Sequence, residues 1–220
     1  MTIGAKRAYA AEALGTLLLL ATVVGSGIMG QRLSPANPAV ALLVNAIATG
    51  CMLYVLIAAL GAQMNPVVTL IEAAQGRLPR AHVPGYLLAQ VAGALAGVVL
   101  AHAMFGEPLL QVSQHARSSG GELVGEVVAT FGLWLAISTT RGRAVQPAAI
   151  ALYIVGAYFF TSSTSFANPA VTLARALTDT FSGIRPADVG PFVLAQLAGG
   201  AAAAWLISCV VLDRARSGAA

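Results

Sequence analysis

Apolar stretches of roughly bilayer length, broken by short polar punctuation, run along the whole chain. Six of them read as membrane spans, at about 11–30, 39–60, 83–104, 122–140, 146–163 and 189–212. A transmembrane helix needs about 20 apolar residues to cross a hydrocarbon core of roughly 30 Å. Charges are absent from Leu33 to Ile71 and from Ala144 to Ala174, stretches too long for soluble core elements. Two segments with helical patterning are left over, at about 65–75 and 168–178. With a rise of about 1.5 Å per residue, each reaches only about half of the hydrocarbon core.

Both leftover segments start on Asn-Pro, in "MNPVVTL" (64–70) and "ANPAVTL" (167–173). Asn favours the N-cap and Pro the first helical position, so each pair marks a helix start. The repetition extends further. "AEALGTLLLL" (11–20) and "GEVVATFGLW" (125–134) each place a Glu near the start of a span, Glu12 and Glu126. "YLLAQVAGALAG" (86–97) and "FVLAQLAGGAAA" (192–203) align Gln90 with Gln196. Each half, about 1–110 and 120–220, holds three spans, and an odd number forces the second half to enter the membrane from the opposite side. A functional site is expected where such inverted halves meet. Irregular backbone survives at membrane depth only where it is buried or lines a cavity. The half-helices should therefore meet N-terminus to N-terminus, with Asn65 and Asn168 presenting amides to a lumen. A third Asn-Pro, in "ANPAV" at 36–40, has no partner in the other half and reads as the start of an ordinary full-length span.

Composition supports one integral membrane domain over 1–220, with 58% apolar and 9% charged residues against roughly 25% charged in soluble domains. The net charge of +4 is spread thinly and gives no nucleic-acid patch. With six spans, Lys6, Arg7, Arg77, Arg80, Arg141, Arg143, Arg214 and Arg216 fall on one side, and Arg32, Arg117, Arg175 and Arg185 on the other. The positive-inside rule then makes both termini cytoplasmic. The start resembles a signal peptide, but Glu12 interrupts the apolar region and membrane sequence continues beyond it, so it reads as an uncleaved first helix. Cys51 and Cys209 lie inside predicted spans and read as small packing residues.

Taken together, the paired Asn-Pro motifs, the two Glu and the two Gln strongly resemble the aquaporin, or major intrinsic protein, family. The resemblance spans the whole chain. It implies an all-α membrane protein of six helices plus two re-entrant half-helices, assembled as homotetramers with one pore per subunit. It also implies that Glu12 and Glu126 accept hydrogen bonds from the loops leading to the half-helices, in preference to a proton relay. The pore motifs are Asn65, Pro66, Val67 and Asn168, Pro169, Ala170. Val67 departs from the usual Ala.

A second departure is larger. Most members place an Arg directly after the second motif, as part of the narrow outer filter. Here it is Val171. Counting by family spacing gives Asn45, Gly156 and Ser165 as the other filter positions, a small, uncharged and partly polar set. A wider filter without fixed positive charge is expected. Arg175, four residues on, is on the same helix face and could supply an outer-mouth charge, or could favour the half-helix C-terminus and pair with Asp179. His115 and Arg117, in the long third loop, read as solvated residues, while the resemblance leaves open that this loop folds over the outer vestibule and that one of them replaces the missing filter charge. Glu72 is the counterpart of Arg175 in the first half and should face the inner mouth.

Nothing points to an enzyme. His82, His102 and His115 lack metal-ligand spacing, and no cofactor is implied. A secondary transporter can also use inverted repeats and broken helices, but it needs a coupling-ion site, and the only midplane acids are the two Glu. The segments "FTSSTSFANPAVTLARALTDTFSGIRPADV" and "MFGEPLLQVSQHARS" resemble a bacterial branch often encoded beside arsenic-resistance genes. That resemblance implies an inner-membrane channel passing water, small polyols and uncharged metalloids such as arsenicals. A strictly water-selective channel is the alternative.

Overall fold

The structure, a computed structural model, describes residues 3–217, with side chains over 4–210. The side chains of Arg214 and Arg216 lie outside the described residues. Eight α-helices follow in order: α1 Ile3–Leu33, α2 Pro38–Leu60, α3 Pro66–Ala74, α4 Val83–Phe105, α5 Gly120–Thr140, α6 Gln146–Phe160, α7 Pro169–Arg175 and α8 Pro186–Ser217. Local chemistry sets their ends. Asn37 accepts from the N–H groups of Ala39 and Val40 to start α2, and Gly61 closes it in the left-handed conformation at φ 61°. Ser119 and Glu122 form a capping box at the start of α5.

Packing repeats as the sequence does. α1 lies against α4 as α5 lies against α8, α1 against α2 as α5 against α6, and α4 against α7 as α8 against α3, while α2 and α6 meet across the repeat axis. Glycines allow the close approach at equivalent places. A Cβ on Gly93 would lie 2.2 Å from the Ala13 carbonyl oxygen, and one on Gly199 2.2 Å from that of Val127.

Three details differ from the sequence reading. α6, expected to run to 163, stops at Phe160 and has 15 residues, while five longer helices have the length and hydropathy to cross a membrane. The cause is the Ser/Thr run after Phe160, where Thr161 turns extended at φ −104°, ψ 139° and its hydroxyl bonds back to the Ala157 carbonyl. α7 stops at Arg175 instead of about 178, because neighbouring loops take its last carbonyls. Ile184 N–H donates to Arg175 O, and Ser113 N–H to Ala176 O. Cys51 is exposed on α2 rather than packed, while Cys209 is half-buried.

The described basic residues divide between two ends. Tyr9 hydrogen-bonds His82, and Arg141 reaches Glu72 beside Arg77, so those segments share one end. Arg32 pairs with Glu107 at the other, where Arg117 bonds Gly183 O and Arg185 N–H donates to His115 O.

Candidate functional site: a cavity between two half-helices

The two half-helices are built alike. Asn65 caps α3 by accepting from Val67 N–H at 3.0 Å. Asn168 caps α7 by accepting from Ala170 N–H at 3.0 Å and Val171 N–H at 3.3 Å. Each cap is worth about 1 kcal/mol to its short helix. The caps then reach across the repeat. Asn65 Nδ2 donates to Ala167 O at 2.7 Å, and Asn168 Nδ2 donates to Met64 O at 2.7 Å. An amide carries two N–H donors, so one remains on each Asn, and both Asn line the central cavity.

To offer those carbonyls, the residue before each Asn turns left-handed, Met64 at φ 53° and Ala167 at φ 48°. Such backbone costs on the order of 1–3 kcal/mol in a non-glycine residue and needs surroundings that enforce it. Two buried carboxylates do so. Glu12 accepts from Gln63 N–H and Met64 N–H, both at 2.6 Å. Glu126 accepts from Phe166 N–H and Ala167 N–H, both at 2.9 Å. Gln90 Nε2 bridges Glu12 to Thr69 Oγ1, and Gln196 Nε2 bridges Glu126 to Thr172 Oγ1. The carboxylates hold loop backbone and line no part of the cavity.

Val67 likewise points away from the lumen. Its Cγ1 lies 2.5 Å from where a Cβ on Gly200 would stand. At the equivalent place in the other half, Ala170 shares a core with Ala94. The larger motif residue is thus matched by a smaller one on the facing helix.

The cavity has a volume of about 630 Å³ and passes from Glu72, Arg141 and Arg143, past Asn65 and Asn168, to Val171 and Arg175. Of the four filter positions expected from spacing, Ser165 and Val171 line it and two do not. Asn45 turns its amide into the helix packing, donating to Val23 O at 2.7 Å and Ser26 Oγ at 2.9 Å. One turn further on, Thr49 lines the cavity in its place. Gly156 is exposed, with open space where a Cβ would be, and Ile154 and Tyr158 line the cavity from α6 instead. The Tyr158 hydroxyl donates to Thr49 Oγ1 at 3.2 Å, linking α6 to α2.

Two cations gather at this end. Arg175 is buried and lines the cavity. It donates Nε–H to Ser182 O, and its Cζ sits 3.4 Å from the Phe166 ring centroid. It is not paired with Asp179, whose carboxylate accepts from Gln114 N–H. Arg117 is no solvated loop residue. It is 7% exposed, donates Nε–H to Gly183 O at 2.9 Å, and lies 5.0 Å from the same ring. Burial pulls its guanidinium below the usual arginine range. His115 is exposed, as expected. Among the described residues neither Arg117 nor Arg175 forms an ion pair. Thr49 and Tyr158 had a signal in the sequence, their polar atoms on apolar helices. The burial of Arg117 had none.

At the other end Glu72 accepts from Arg77 Nε–H at 2.5 Å and from an Arg141 terminal nitrogen at 2.6 Å. Both guanidiniums lie 5.7 Å from the Trp134 ring centroid.

The chain matches the family model described as Major intrinsic protein over residues 1–163. It is similar to Aquaglyceroporin AqpS of Rhizobium meliloti (strain 1021), 51% identical over 199 residues, covering 88% of this chain and 85% of that one. It is also similar to Aquaporin Z of Bradyrhizobium diazoefficiens, 30% identical over 217 residues, covering 88% of each. Among solved structures it resembles the aquaglyceroporin from Plasmodium falciparum, with a TM-score of 0.70 and 17% identity, covering 95% of this chain and 99% of that one.

Proposed function

The chain belongs to the major intrinsic protein family, and from that premise we propose that it forms a single channel unit passing water and small uncharged solutes without ion coupling. Glycerol-like polyols and neutral metalloid species such as arsenicals are the solutes in view. One observation carries the reading. A single cavity runs past the reciprocal Asn65–Asn168 pair to an end lined by Val171, the position at which the family resemblance expects a filter Arg. We take the filter to lie at this end, with Thr49, Tyr158, Ser165 and Val171 on the cavity wall and Arg175 one turn beyond Val171. Its lining is short and mostly uncharged, which suits a polyol better than an ion. The half-helix N-termini bring partial positive charge to the midplane and oppose cations.

The setting in view is the inner membrane of a bacterium. The end with Arg77, Arg80, Arg141 and Arg143 is cytoplasmic, as are both termini. Four subunits assemble, each with its own pore. No nucleic acid, metal or cofactor has a part.

The water-only alternative has one observation in its favour, because the Tyr158–Thr49 hydrogen bond draws α6 and α2 together. Stopped-flow light scattering on proteoliposomes with water, glycerol and a methylated arsenical separates the readings. Flux of all three supports the wider channel, and flux of water alone supports the narrow one. Uphill solute accumulation driven by a proton gradient would establish a transporter instead.

A further inference from the structure

We propose that the mouth at Glu72 is a binding site for a soluble phosphate-type oxyanion, whose occupancy obstructs the pore. The proposal rests on the channel reading. Glu72, Arg141 and Arg143 line this end of the cavity, and Arg77 adjoins it through Glu72. Arg77 and Arg141 bond Glu72 and Arg143 lines the same end, so three cations against one carboxylate leave an excess of two positive charges at the rim. The positions are held. Glu72 is nearly buried and fixes Arg77 and Arg141, whose guanidiniums both lie over Trp134. Arg141 and Arg143 stand on the turn between α5 and α6, where Gly142 takes φ 70°. Each Arg carries five N–H donors in a planar fork suited to oxyanions. Glu72 engages one donor of Arg141 and one of Arg77, and Gln75 a second of Arg77. Several donors therefore remain beside the opening. The same charge-assisted chemistry could bind a lipid headgroup. The position of Arg141 and Arg143 on the cavity wall favours a solute that enters from water.

Trp134 reports on the site, since two of its guanidiniums lie over the ring. The chain has two Trp, and the other, Trp205, is exposed on α8. In a Trp205→Phe background, inorganic phosphate is titrated into the purified full-length channel, in detergent and in nanodiscs of neutral or anionic lipid, and Trp emission is followed. A saturable change is expected in detergent and in neutral nanodiscs. Arg143→Gln, which removes a rim cation that forms no ion pair among the described residues, should weaken it by about tenfold, the loss of one charge-assisted contact. Phosphate should also lower the water permeability of wild-type proteoliposomes relative to chloride at equal ionic strength. The proposal is overturned by no saturable change, by an equal change with chloride, by an unchanged response in Arg143→Gln, or by a response to anionic lipid alone. Loss of water permeability in phosphate-free wild type would count against the channel reading and not against this site.

Discussion

Asn65 and Asn168 hold each other's loops. Each side chain caps its own half-helix and donates to the carbonyl just before the other, at 2.7 Å in both directions. The junction of the halves is thus a closed exchange of hydrogen bonds. Asn168→Asp separates its two parts, because Asp keeps the capping acceptor and deletes the donors. The variant should fold with intact α7 but lose the bond to Met64 O, at a cost of about 1–3 kcal/mol for the stranded buried carbonyl. Thermal unfolding in detergent should show a lower midpoint than wild type, and water permeability should fall. An unchanged midpoint would mean that the exchange contributes nothing.

The carboxylate anchors give a second test. Glu126→Gln puts an amide N–H against backbone N–H groups that now donate to it. One donor is stranded in a buried site, for about 1–3 kcal/mol, and the left-handed turn at Ala167 loses its enforcement. Glu12→Gln should cost a similar amount, since its partners are equivalent. Comparing the two unfolding midpoints checks the symmetry. A large loss for one and none for the other would contradict it.

Size matching at the first motif predicts a rescue. Gly200→Ala places a methyl 2.5 Å from Val67 Cγ1 and should destabilise by about 1–3 kcal/mol, the usual cost of overpacking. Val67→Ala should recover much of that in the double variant, because it restores the Ala–Ala pairing of the other half. A double-mutant cycle on thermal stability measures the coupling, and simple additivity would refute the account.

The repeat and the half-helices were legible because each is written twice and Asn-Pro starts a helix; Glu12, Glu126, Gln90 and Gln196 were legible as duplicated positions, and the family resemblance implied the acceptor role of the two Glu. The mirrored packing of α1 on α4 and α5 on α8 followed from the same duplication. The filter register was not legible. Asn45 and Gly156 follow from the family spacing, but which faces of α2 and α6 meet the cavity is set by tertiary contacts such as those of the Asn45 amide with Val23 O and Ser26 Oγ, and Thr49 and Tyr158 line it there. Arg117 misled for a different reason. A loop Arg reads as solvated unless its partners are known, and here they are the Gly183 carbonyl, distant in sequence, and the Phe166 face.

Tyr158→Phe tests the link between α6 and α2. It removes the hydroxyl that donates to Thr49 and leaves the ring in place. One hydrogen bond is worth about 1 kcal/mol, so the fold should persist. Glycerol permeability should rise relative to water as the constriction loosens. An unchanged ratio would place Tyr158 away from the constriction.

The central claim is that the outer constriction is wide because Val171 stands where an Arg would narrow it. Val171→Arg brings a long side chain with five donors into a site lined by Thr49, Tyr158 and Ser165. The direct measurement is the ratio of glycerol to water permeability in proteoliposomes, taken for wild type and Val171→Arg at equal protein density. The account predicts a sharp fall in that ratio, with water affected least. An unchanged ratio would show that Val171 does not line the constriction and that the wide-filter account is wrong.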